Sequence, residues 1–328
     1  MKTFWKELIV SVFMGAVLPG LIVSRGTLYD PVPDETDPIP VIEETGPVRT
    51  YAVMLRQGDG TVTEMDLERY LIGVVLGEMP AYFESEALKA QAVVARTYTL
   101  RIQSQGGKHG DGSICTDPGC CQAYVAVTDY LERGGTGESV EKVTAAVNAT
   151  AGKVLLYEQK LIEATYFSCS GGITEDAEAV WGTDYPYLRS VVSPGEENAA
   201  CFTDTVSFSS DAFQERLGVR LAGNPTAWFG QVTSTPGSGV HSIVIGGKEY
   251  EGTEVRRILG LRSTIFEVEV TEGEIRFHTK GYGHRVGMSQ YGAEAMAVDG
   301  STYDQILAHY YQGTELTDLY TECNWANY

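Results

Sequence analysis

The run "SEALKAQAVVARTYTLRI", from Ser85 to Ile102, constrains this fold more than any other stretch. Leu88, Ala92, Ala95, Thr99 and Ile102 recur at helical spacing, and Ala87, Gln91, Val94 and Tyr98 lie beside that stripe. So many small side chains predict a helix packed closely on most sides. The run before it predicts a second helix, carrying Leu67, Tyr70, Leu71, Val74 and Val75, with Asp66 as its cap and Gly77 and Pro80 ending it. Glu78 falls at the corner between the two helices, flanked by an apolar run and Met79-Pro80. Upstream, "VRTYAVMLRQGDGTVTEMDL" reads as a hairpin turning at "GDG".

Downstream, residues 106–123 form a Gly- and Cys-rich loop, and Ser139 to Ala149 reads as a helix. "KVLLYEQKLIEATYFS" reads as two strands around a short turn, and "SCSGGITEDAEAVWG" as a loop. From about 206 to 270, strands, turns and a short helix suggest an inserted subdomain. "GYGHRVGMSQYGAEAMAVDG" reads as a loop entering a helix, with a last helix from near Tyr303. The fold class expected is α+β, one large mixed domain over 48–328 with mainly antiparallel strands. With 328 residues and 43% apolar content, the core is substantial.

The N-terminus sets the compartment. Lys2 and Lys6 precede a run from Leu8 to Ser24 without a charge. That pattern predicts a membrane anchor within residues 1–26, its short N-terminus in the cytoplasm and the rest of the chain outside. No A-x-A-like cleavage site follows, which favours an uncleaved anchor over a signal peptide. Residues 27–47 are rich in proline and acid and predict an extended linker. A formal net charge of -20 argues against nucleic acid and anionic lipid surfaces as partners and permits a polysaccharide.

Several residues suit chemistry. Apolar surroundings raise a carboxyl pKa, so Glu78 has the composition of a general acid. The plainer reading is a helix-end glutamate paired with a cation such as Arg96. "KHGDGSICTDPGCCQAY" supplies His109, Cys115, Cys120 and Cys121, donors that suit zinc. In an exported domain, a disulfide from Cys115 to either later cysteine competes with that reading. Cys169 and Cys201 flank the loop containing Trp181 and offer a further pairing, while Cys323 has no obvious partner. Tyr166, Ser168, Ser170 and Gly171-Gly172 form a polar turn, a ligand-binding turn or a tight turn under Trp181. The GxGxxxG spacing of "GYGHRVG" misses the dinucleotide fingerprint.

"YLIGVVLGEMP", "ALKAQAVVARTY", "SCSGGITEDAEAVWG", "PYL" and "GYGHRVGMSQYGA", in that order, resemble the stage II sporulation protein D family over nearly the whole globular part. The resemblance implies a lytic transglycosylase that cuts peptidoglycan glycan strands to 1,6-anhydro-MurNAc products during forespore engulfment. It implies Glu78 as the catalytic acid/base and Arg96 and His284 in the substrate cleft; the polar turn adds Tyr166 and Ser168, and the loop entering the late helix adds Ser289 and Gln290, as expected substrate-binding residues. It also implies zinc near the glutamate on one histidine and two cysteines, which His109, Cys115 and Cys121 match best, with Cys120 as the competitor. The implied setting is the space between the mother-cell membrane and the forespore. The implied partners are the stage II sporulation proteins P, an amidase, and M. The alternative is a non-catalytic glycan-binding or amidase-enhancer module, since amidase enhancers share the domain. One departure stands out: the Gly-His segment usually continues with glycine, and here it reads Gly283-His284-Arg285.

Overall fold

Asp66 marks the change from strand to helix. β1 (Ala52–Arg56) and β2 (Val62–Asp66) pair antiparallel on either side of the "GDG" turn. The Asp66 carboxylate then accepts the Arg69 N–H at 2.9 Å and caps α1 (Leu67–Glu78), a contribution of about 1 kcal/mol. The structure, a computed structural model, describes residues 51–271 and 273–319. The apolar N-terminal run, the acidic linker and Cys323 lie outside these residues. Among the described residues no helix is long and apolar enough to cross a membrane.

α1 runs through Gly77 to Glu78, with Met79 as its C-cap. Gly77 therefore does not end the helix. A Cβ there would stand 3.2 Å from the Ala123 carbonyl carbon, and one at Gly73 would stand 2.4 Å from the Tyr124 ring. The two glycines clear one face of α1 for the backbone of residues 123–125.

α2 (Ser85–Ser104) follows, and from Ala87 to Thr99 only Lys89 is not buried. The loop after it holds a two-residue strand, β3 (Ile114–Cys115), parallel to β1. α3 (Val127–Glu132) and α4 (Gly137–Ala149) lead into β4 (Lys153–Tyr157) and β5 (Lys160–Leu161). A third short strand, β6 (Tyr166–Phe167), closes the stretch expected to hold two. The segment expected to be a loop contains α5 (Ala177–Trp181), a helix of barely one turn ended by Gly182 at φ 70°.

Next come β7 (Thr203–Phe208), α6 (Ser210–Leu217), β8 (Phe229–Ser234), β9 (Val240–Ile245), β10 (Lys248–Glu251) and α7 (Gly252–Leu259). β11 (Ile265–Thr271) and β12 (Glu274–Lys280) follow. These elements form two antiparallel sheets, β10-β9-β8 and β11-β12-β7, around an apolar cluster of their own that includes Phe208, Phe213, Trp228, Ile243 and Phe277.

β13 (Met288–Ser289) runs into α8 (Gln290–Val298), then α9 (Tyr303–Tyr310) and β14 (Glu315–Asp318), which pairs antiparallel with β4. α1, α4, α8, α9 and β4 all pack on α2. Among the described residues the fold is thus α+β, and its sheets are antiparallel apart from two short parallel ladders. One of these, β6 against β13, sets Met288 opposite Tyr166 and Ser289 opposite Phe167. It carries the chain's late segment to the end of α1.

Candidate active site

Glu78 is the last residue of α1 and is half-buried. Its Oε1 accepts the Ala123 N–H at 2.6 Å. The Tyr166 hydroxyl and the Gln290 side chain also hydrogen-bond to its carboxyl. Burial raises the Glu78 pKa above its ordinary value of 4.5, and these three bonds oppose the rise without cancelling it. The groups that set its titration are an amide N–H, a hydroxyl and a carboxamide, and none is a carboxylate.

A second layer of amides holds the first. Gln122 is buried; its Nε2 donates to Thr99 Oγ1 at 2.9 Å and to the Tyr70 hydroxyl at 3.3 Å. Its Oε1 accepts the Tyr166 hydroxyl proton at 3.0 Å. That single proton thus has two acceptors within reach, Gln122 Oε1 and the Glu78 carboxylate. Gln290 Nε2 also reaches Gln91 Oε1, at 3.5 Å.

Glu78, Tyr166 and Gln290 therefore meet, and the other expected binding residues do not join them. Arg96 is wholly buried and bonds elsewhere. Its guanidinium donates to both Glu68 carboxylate oxygens, at 2.9 and 2.5 Å, and to the carbonyls of Lys153 and Val147. It is a structural ion pair, with Glu68 and not Glu78 as its partner. His284 packs between the rings of Phe167 and Trp181, at 5.5 and 5.3 Å. Its Nδ1 accepts the Val286 N–H, and it hydrogen-bonds the Tyr166 main chain. Burial, aided by the Arg256 cation, lowers its pKa to about 4, so the ring is neutral near pH 7. His284 supports Tyr166 from behind.

Ser168 and Ser289 belong to another centre. The Ser168 hydroxyl faces Cys201 Sγ at 3.7 Å, and the buried Ser289 hydroxyl caps α8 by accepting the Gly292 N–H. Ser289 also donates to Glu196, a buried carboxylate that sequence reasoning missed. Glu196 accepts further from Ser170 N–H and Oγ, Gly171 N–H and Ser193 Oγ, all within 3.0 Å. It ties the Ser170 turn to the start of α8. Cys169 and Cys201 meet beside it as free thiols.

The departure at Arg285 has a local account. Its backbone stands at φ 67°, a conformation that favours glycine. Its buried guanidinium donates to the carbonyls of Ser170, Ile173 and Gly237 and to Thr264 Oγ1, with Glu175 at 3.8 Å. The side chain bolts three segments together, and Glu78 is not among its partners.

The cysteine loop folds back on itself. Ligand atoms of His109, Cys115, Cys120 and Cys121 all lie within 4.8 Å of one another. β3 fixes Cys115, and the Asp117 carbonyl accepts the N–H groups of both Cys120 and Cys121, at 3.0 and 2.8 Å. Cys120 and Cys121 are therefore not alternatives: both reach the cluster. One imidazole and three thiols within this span suit zinc in donor type and spacing.

The family model described as stage II sporulation protein matches residues 56–157. Stage II sporulation protein D of Bacillus amyloliquefaciens is 44% identical over 268 residues, which covers 80% of this chain and 77% of that protein. Its counterpart in Bacillus subtilis (strain 168) is 42% identical, covering 80% and 78%. The amidase enhancer of Bacillus subtilis (strain 168) is 30% identical over 75% of this chain and 40% of its own length.

Proposed function

Because the chain belongs to the stage II sporulation protein D family, we propose that it is a peptidoglycan lytic transglycosylase with Glu78 as its acid and base. The observation that carries this reading is a carboxyl raised by burial at the end of α1, whose hydrogen-bonding neighbours among the described residues include no second carboxylate. Hydrolytic glycosidases use two carboxylates, one to protonate the leaving oxygen and one to activate water or attack the sugar. Glycan cleavage by one glutamate needs an internal nucleophile. The protonated Glu78 gives its proton to the glycosidic oxygen as the C1–O bond breaks. The 6-hydroxyl of the same MurNAc residue closes on C1, and its proton returns to Glu78. The products are a 1,6-anhydro end and a free hydroxyl end, and no water is consumed. Tyr166 and Gln290 hold the carboxyl in place through both transfers.

Zinc fits the His109 and cysteine cluster, and we assign it there as a brace for the loop that supplies the Ala123 N–H. The N-terminal apolar run would anchor the domain in the mother-cell membrane, facing the space before the forespore. Glycan strands stripped of peptide by the amidase, stage II sporulation protein P, would be the substrate, and stage II sporulation protein M the further partner.

The test is Glu78→Gln, with digests of purified glycan strands read by mass spectrometry. Loss of anhydro-MurNAc products with retained strand binding is the expected result. Native protein that binds strands but yields no anhydro product would instead favour an amidase-enhancing module, a reading that the similarity to the amidase enhancer supports.

A further inference from the structure

The geometry points to Cys120 as a fourth protein ligand that closes the metal centre, making it a structural site of one histidine and three cysteines. This inference rests on the zinc assignment above and changes what the metal does.

A tetrahedral zinc with Zn–S near ~2.3 Å and Zn–N near ~2.0 Å sets its donor atoms roughly 3.5–3.8 Å apart. His109 Nε2 lies 3.8 Å from Cys120 Sγ and 3.8 Å from Cys121 Sγ, and the two sulfurs are 3.9 Å apart. These three atoms outline one face of such a tetrahedron, and Cys115 Sγ supplies the remaining corner within the same 4.8 Å span. Both adjacent cysteines reach inward because the Asp117 turn holds both of their N–H groups. The backbone also supports the sulfurs: Asp117 N–H donates to Cys115, and Cys115 N–H to Cys121.

Charge gives a second, independent reason. One imidazole and two thiolates would neutralise a divalent ion by themselves. A third thiolate leaves one negative charge, which needs a cation nearby. Lys108 is placed to supply it. Its ammonium donates to the Cys120 carbonyl and to the Tyr98 hydroxyl at 2.8 Å, beside Cys120 and Cys121.

A closed shell has no position for water or sugar, so the ion acts only through the chain it holds. That chain is short. Cys121 is followed by Gln122, which accepts from Tyr166, and by Ala123, whose N–H donates to Glu78. The metal thereby fixes two of the contacts that orient the acid.

Alkylation of the native full-length chain, loaded with zinc and mapped by mass spectrometry, tests this without substitution. Zinc should protect Cys115, Cys120 and Cys121 together, and a chelator should release all three. Cys120 reacting equally fast with and without zinc, while the other two are protected, overturns the closed shell and leaves the zinc assignment standing. Absence of zinc binding by the native chain overturns both. Cobalt(II) titration of Cys120→Ala gives a second readout. Thiolate charge-transfer intensity should drop by about one third as one of three sulfurs is lost, and unchanged intensity sinks the inference.

Discussion

The Ala123 N–H donates to Oε1 of Glu78 across 2.6 Å, joining the end of α1 to the loop that carries the cysteine cluster. The glutamate is thus held from outside its own helix, and its protonation depends on that neighbourhood.

Burial raises the Glu78 pKa above 4.5, so the carboxyl keeps its proton above that pH and loses it as pH rises through the raised value. Strand cleavage should therefore fall along an alkaline limb that reports Glu78. The same shift affects stability. Near and below pH 4 both folded and unfolded chains are largely protonated at this site. Above 4.5 the unfolded chain releases its proton first, and the folded state loses stability until its own raised pKa is passed. Glu78→Gln should thus raise the melting temperature by more at neutral pH than at pH 4. Equal melting shifts at both pH values would contradict the burial account.

Tyr166→Phe removes a hydroxyl that bonds to Glu78 and Gln122 without opening a cavity. Loss of one such bond to a charged group corresponds to roughly a 10- to 100-fold fall in kcat. Because the hydroxyl lowers the Glu78 pKa, its removal should move the alkaline limb to higher pH. A purely structural tyrosine would leave the limb where it was.

Arg96→Ala removes the cation bonded to both oxygens of the partly buried Glu68 carboxylate and should cost about 3–5 kcal/mol in urea unfolding. KM for glycan strands should hardly change in the protein that folds. A large rise in KM with unchanged stability would return Arg96 to the binding cleft.

Arg285→Gly relieves a backbone cost of about 1–2 kcal/mol but leaves Glu175 buried without its cation. The net expectation is a loss of about 2 kcal/mol, with cleavage by the folded protein unchanged. A more stable variant would show that the conformation, and not the guanidinium, dominates at this position.

The sequence read best where the physics is local. Asp66 before an apolar periodicity marked the start of α1, and the small residues of α2 announced burial on most sides. Glu78 was legible because its apolar neighbours are adjacent in sequence. α5 was not legible, since five residues between Asp176 and Gly182 carry no usable periodicity. Arg96 misled because a cation near an acid in sequence order need not face it. Nothing in the sequence indicated that Glu68, 28 positions earlier, would take both sides of its guanidinium. Glu196 resembled any solvated acid in "SPGEENAA", because all its partners but Ser193 come from two other stretches of chain. Gln122 carried one signal that could have been used: it directly follows Cys121.

The site at Glu78 is assembled from residues scattered from position 78 to position 290. Its amide, hydroxyl and carboxamide partners arrive with the cysteine loop, with β6 and with the start of α8. Two of those partners, Tyr166 and Gln290, reach the carboxyl only through the β6–β13 ladder. A chain in which the ladder has not formed therefore lacks two of the contacts that the proposed acid would use. On the proposed function, completion of the fold would act as a safety catch, since Gln290 belongs to the last third of the polypeptide.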